Sequence, residues 1–113
     1  MITDRELLVF SARALNRELV WELSKFSGCE WCRFVSCAEQ WNPLKDDGDA
    51  LRLAIALRLD VRIRDGYTDA VIRRVEDGVE RSKTGFTEPH RNDMAAATRR
   101  AVVRASAYIG EWL

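Results

Sequence analysis

The chain has 113 residues and a mass of 13.0 kDa, a length suited to one domain. Its 18 Lys and Arg balance 18 Asp and Glu, with a single His, so the net charge is zero and the usual electrostatic argument for a dedicated nucleic-acid binder is missing. A composition of 47% hydrophobic and 32% charged residues, with two prolines and six glycines, excludes disordered, fibrous and low-complexity classes.

Thr3 followed by Glu6 matches a capping box, in which the hydroxyl accepts from a first-turn N–H and the carboxylate reaches back to the cap. Leu7, Leu8, Ala12 and Leu15 keep helical spacing and Asn16 suits a left-handed terminator, which predicts a helix over about 4–15. A longer helix to Phe26 competes with this. Against it, residues 19–23 and 31–35 are rich in aromatic and β-branched side chains, and Ser24, Ser27 and Gly28 lie between them, so a hairpin is expected.

Trp41-Asn42-Pro43-Leu44 interrupts regular structure, because proline supplies no N–H and pushes the residue before it toward extended geometry. Asp46, Asp47 and Asp49 place negative charge at the start of a helix beginning near Asp47. Between Ala50 and Leu59 the only polar side chains are Arg52 and Arg58. Such a helix is apolar around most of its circumference and must be covered on more than one side, as a core helix or as an oligomer contact.

Leu59, Val61 and Ile63 alternate with Asp60, Arg62 and Arg64, the clearest strand signal in the chain, and Asp65-Gly66 ends it. Residues 70–76 and 79–83 flank Asp77-Gly78, a dipeptide that tolerates the positive φ angles of a two-residue hairpin turn. A three-stranded meander follows. Residues 85–90 read as a loop closed by Pro89, and Asn92 or Asp93 caps a last helix whose stripe is Thr98, Val102, Ala105, Ile109 and Trp112. The order is helix, hairpin, helix, meander, helix, so the expected class is α+β, an antiparallel sheet layered with helices in one domain.

Two blocks, Trp41-Asn42-Pro43-Leu44 through residues 46–54 and residues 95–105, resemble the small bacteriophage and prophage proteins grouped as the phage ABA sandwich domain. The resemblance covers most of the chain in element order, while its specific motifs are confined to those blocks. It implies a sheet layered between helices and a phage or prophage origin; it implies no activity and carries no catalytic or ligand-binding residue. The segment from Cys29 to Cys37 departs from the family's pattern.

The cysteines, Cys29, Cys32 and Cys37, are spaced C-x2-C-x4-C, an odd number. A zinc site needs a fourth ligand from the remote His90 or a second chain, and strand alternation separates neighbouring side chains, so no metal and no cofactor are expected. No apolar run approaches the ~20 residues of a membrane span, and the chain opens on Asp4-Arg5-Glu6. Free thiols in a cytoplasmic setting, without membrane partner or export, are the expectation.

No nucleophile elbow and no glycine-rich phosphate loop occurs, which argues against an enzyme. The carboxylate pairs Asp46/Asp47 and Glu76/Asp77 have sufficient structural reasons, one at a helix start and one around a turn. Candidate binding residues are Trp41 and Asn42, His90 and Arg91 just before the last helix, and an Arg99, Arg100, Arg104 ridge with Arg62, Arg64, Arg73 and Arg74 beside it. The plainer readings are an exposed loop histidine assisting the helix cap and a solvated face balanced by Asp60, Asp65, Asp69 and Glu80, since the charges alternate in sign. Trp21, Trp31, Trp41 and Trp112 are expected to fill the core, and any left exposed marks a contact site.

The leading functional expectation is a small phage or prophage accessory protein that acts by binding through a protein interface, as a homodimer or against a host or phage protein. The alternative is a binder of a small anionic ligand or nucleotide through the arginine-rich surface.

Overall fold

The computed structural model describes residues 2–112. Eight elements follow one another: α1 (Asp4–Ala14), β1 (Leu19–Leu23), β2 (Glu30–Phe34), α2 (Asp47–Ala56), β3 (Asp60–Ile63), β4 (Tyr67–Glu76), β5 (Val79–Pro89) and α3 (Met94–Glu111). The fold is α+β, with antiparallel sheet packed against helices.

The capping box forms as read: Thr3 Oγ1 accepts the Glu6 N–H, and Glu6 accepts the Thr3 N–H. The Thr3 backbone N–H, contributing most, and the Thr3 hydroxyl both donate to the Glu6 carboxylate, which holds it below its ordinary range. Asn16 takes φ 58° just beyond α1, where its short polar side chain tolerates the left-handed region. The helix therefore stops there and the hairpin β1–β2 begins, pairing Trp21 with Cys32 at its centre.

A second sheet runs in the order β3-β4-β5. Its register sets Val61 opposite Ala70 and Ala70 opposite Phe86, so these share one face with Ile63, Thr68 and Ile72, and α3 covers that face. The other face carries Asp60, Arg62, Asp69 and Arg73. Asp60 accepts from both Arg73 and Arg62, at 2.7 and 2.9 Å, which holds its carboxyl below the usual range. Residues 73–83, around the Asp77-Gly78 turn, are exposed on both faces and form a free-standing arm.

The segment 85–90 is not a loop. β5 continues through Gly85 and ends only at Pro89, and β4 starts three residues earlier than expected, at Tyr67. Proline is tolerated because His90 donates its N–H to Gly66, which directs the Pro89 main chain away from β4 to the free edge, where no donor is needed.

α3 is the hub. Its Ala101 and Ala105 meet Ala70, while Val102, Val103 and Ala107 join Leu7, Leu8, Ala12, Cys32, Trp41 and Leu53 in the main core. Gly110 lets α1 approach, since a Cβ there would lie 1.7 Å from the Phe10 carbonyl oxygen. Trp41 is buried against Phe34 at 4.6 Å between ring centroids and Trp21 and Trp31 are half-buried, but Trp112 leaves the expected core stripe and is 76% exposed against Tyr108.

Candidate functional site

The apolar run of α2 predicts a helix covered on more than one side. Within the chain it is covered on one: Asp49, Ala50, Leu53 and Ala54 are buried, whereas Leu51 is 62% and Ile55 66% exposed. The helix also ends at Ala56 rather than near Leu59, because Arg58 takes φ 54° and Leu59 donates back to Ala54. Beside it, Ile63 and Met94 are 58% and 55% exposed. Leu51, Ile63 and Met94 line an open groove of about 630 Å³ between α2, the first turns of α3 and β3, with Ala50, Ala54, Val61 and Val102 in its walls.

The groove borders a bare strand edge. The Arg64 N–H donates to the Tyr67 carbonyl, so by the alternation of antiparallel ladders Arg62 and Asp60 bond inward to β4. The main-chain groups of Val61 and Ile63 then point outward, and no described residue pairs with them. The opposite edge, β5, is treated differently. Pro89 removes a donor there, and the Arg104 guanidinium donates to the outward Thr87 carbonyl at 3.2 Å. β5 is blunted in this way only at residues 87–89, whereas β3 is bare where it borders the groove.

The residues singled out from sequence do not converge. Asn42 and Trp41 build a strap: the Asn42 N–H donates to Asp49 Oδ2 at 2.9 Å, and the Trp41 N–H donates to the Cys32 carbonyl at 2.8 Å, joining the hairpin to α2. His90 is buried, a correction to its reading as an exposed loop residue. Because β5 runs on to Pro89, the chain delivers His90 to the helix-covered face, where its Nε2 lies 2.7 Å from Thr68 Oγ1, itself 2.9 Å from Thr98 Oγ1. Asp93, not His90, caps α3 by accepting the Ala96 N–H. Arg91 is exposed at φ 55° in the turn between them.

The arginine ridge is divided. Arg99 donates to Leu44 O and Asp47 at 3.0 and 2.6 Å, which clamps α2 to α3 at the groove rim. Arg100 pairs with Asp4 and Glu88, and Arg104 with Glu88 and Thr87 O. Arg62 and Arg73 lie on the sheet face turned away from α3, paired with Asp60 and Glu80, while Arg64 and Arg74 pair with Asp69 and Glu76. Carboxylates therefore occupy the forks that an anionic ligand would need.

Cys32 turns into the core and its thiol donates to the Trp41 carbonyl at 3.1 Å, while Cys29 is exposed. Burial pushes the Cys32 pKa up to about 11, so it is a thiol and not a thiolate near neutrality. Among the described residues no three His, Cys, Asp or Glu side chains gather at metal-binding distance, and no helix is long and apolar enough to cross a membrane. Leu51, Ile55, Ile63 and Met94 are functional candidates that sequence reasoning missed. The signal for the first two is present in the almost unbroken apolar run of α2. No family model, no curated protein and no solved structure matches the chain.

Proposed function

We propose that this chain is a small phage or prophage accessory protein that acts by binding, through a protein interface, and that its first partner is a second copy of itself. The observation that carries the interface is the uncovered apolar face of α2 and its groove, with four large side chains more than half exposed. Burial of such surface stabilises association by about 25 cal/mol per Å² before the entropy of docking is subtracted. The origin rests on the two blocks that resemble the phage ABA sandwich proteins, which become the strap with α2 and the body of α3. A binding role is favoured over an anion site because the candidate arginines already hold carboxylates of their own chain.

Light scattering coupled to size exclusion tests the association. The native chain is expected to run as a dimer, and Leu51→Glu, which adds charge to an exposed position without opening the core, as a folded monomer. A native chain that stays monomeric at high concentration overturns the self-association. The origin is tested by genomic setting: flanking phage genes support it, and flanking housekeeping genes overturn it.

A further inference from the structure

Resting on that reading, we infer that the second copy docks by antiparallel pairing of the open β3 edges, joining two three-stranded sheets into one of six strands about a two-fold axis at Val61.

The backbone fixes which residues can lie on the axis. A two-fold antiparallel seam puts residues of the same sheet face opposite one another, and only Val61 and Ile63 of β3 aim main-chain groups outward. With Val61 opposite Val61 of the partner, each donates its N–H to the other's carbonyl. Ile63 then lies opposite Leu59 of the partner and donates to its carbonyl. The Leu59 N–H is already given to Ala54 in its own chain, at 3.0 Å, so it is not left seeking an acceptor.

Side chains agree with this register. On the outer face Asp60 falls opposite the partner's Arg62, twice by symmetry, adding a second chain's guanidinium to a carboxylate that already accepts from Arg62 and Arg73. On the helix-covered face Val61 meets Val61, and Ile63 meets Leu59, where the two grooves come together. Centring the axis on Arg62 instead would set Arg62 against Arg62, with like charges directly opposed. At the other edge Pro89 and the Arg104–Thr87 bond blunt residues 87–89 of β5, and no β5 residue borders the groove.

Charge exchange across the seam tests the register. In Asp60→Arg the new side chain faces the partner's Arg62, and in Arg62→Glu the new carboxylate faces the partner's Asp60. Each single variant is expected to weaken self-association about tenfold, since two cross-strand pairs change from opposite to like charge. In a mixture of the two variants, the arginine introduced in one chain faces the glutamate introduced in the other, and the native Arg62 of the first faces the native Asp60 of the second. The mixture is therefore expected to restore a heterodimer at near-native affinity. Circular dichroism and thermal unfolding check that each variant is folded. If Asp60→Arg fails that check, Val61→Pro replaces it. The proline deletes an outward N–H, takes no bond from the β3–β4 ladder and keeps every charge, and it is expected to leave a folded monomer.

Native-strength dimers in both single variants, with no preference for the mixture, overturn the β3 seam while leaving a dimer through another surface. A native chain that never dimerises overturns the seam and the self-association together, and leaves the edge to a different protein.

Discussion

Replacing Gly110 by alanine sets two effects of opposite sign against each other. In an exposed helix the change is favourable by about 1 kcal/mol, because alanine loses less backbone entropy. Here the new Cβ would sit 1.7 Å from the Phe10 carbonyl oxygen, 2.6 Å from its carbon and 3.1 Å from the Ala14 nitrogen. All three are main-chain atoms of α1, so no side chain can swing aside. Relief requires α1 and α3 to part by roughly 1.5 Å or more, and a gap of about 0.5–1 Å already forfeits a quarter to a half of the dispersion well along the contact. That contact includes Leu7, Leu8 and Ala12 against Val103 and Ala107, and the Ser11 hydroxyl that donates to the Val103 carbonyl at 3.2 Å. Overpacking of this kind costs about 1–3 kcal/mol or more, and the upper end applies because the obstacle is backbone. After the propensity gain the net loss is about 2 kcal/mol, or roughly 8 °C in Tm for a domain of this size. Thermal unfolding followed by circular dichroism reads it directly. Gly48→Ala is the control: its Cβ meets only the ends of side chains, the Arg52 guanidinium at 3.1 Å and Asp46 Oδ2 at 3.2 Å, and its stability is expected within about 1 kcal/mol of native. A Gly110→Ala protein as stable as native would refute the close crossing of α1 and α3.

Leu53→Ala is expected to cost about 3 kcal/mol in denaturant unfolding, since Leu53 is fully enclosed where α2 meets α3 and its removal leaves a cavity. Thr68→Val keeps the volume but strands His90 Nε2 and the Thr98 hydroxyl. A loss of about 1–3 kcal/mol is predicted, and a neutral result would mean that the buried network contributes nothing. Alkylation with iodoacetamide near neutral pH should modify Cys29 quickly and Cys32 only on unfolding. Cys32 also has a pH signature. Its folded pKa is raised above the ordinary 9.0 to about 11, so the protonated thiol stabilises the fold fully below pH 9 and that contribution is lost as pH rises from 9 through 11. Cys32→Ala should flatten this alkaline decline.

Much of the architecture was legible because local chemistry and tertiary structure agree along the chain. The capping box at Thr3, the left-handed Asn16, the alternation through Val61 and Ile63 and the Asp77-Gly78 turn each act over a few residues, and each forms as read. The end of β5 was not legible, because Gly85 and Pro89 are ordinarily loop residues. Pro89 fits a strand only where its missing N–H faces a free edge, and that depends on which neighbour β5 pairs with. The same two residues hid the burial of His90, whose side chain is carried inward by the strand they argue against. For the arginines, composition along the helix showed positive charge but not the acids supplied from Asp4, Asp47 and Glu88, which are distant in sequence. The apolar run in α2 was visible; that half of it would face outward is a property of how few elements surround it.

Both hydrophobic clusters draw on one helix, with Val102, Val103 and Ala107 of α3 in the larger and Ala101 and Ala105 in the smaller. Neither half of the molecule can therefore loosen alone. Once α3 detaches, α1 with the hairpin and the meander each lose the surface they lie on, so unfolding should be all-or-none, with heat absorption matching the van't Hoff enthalpy and no half-folded species accumulating.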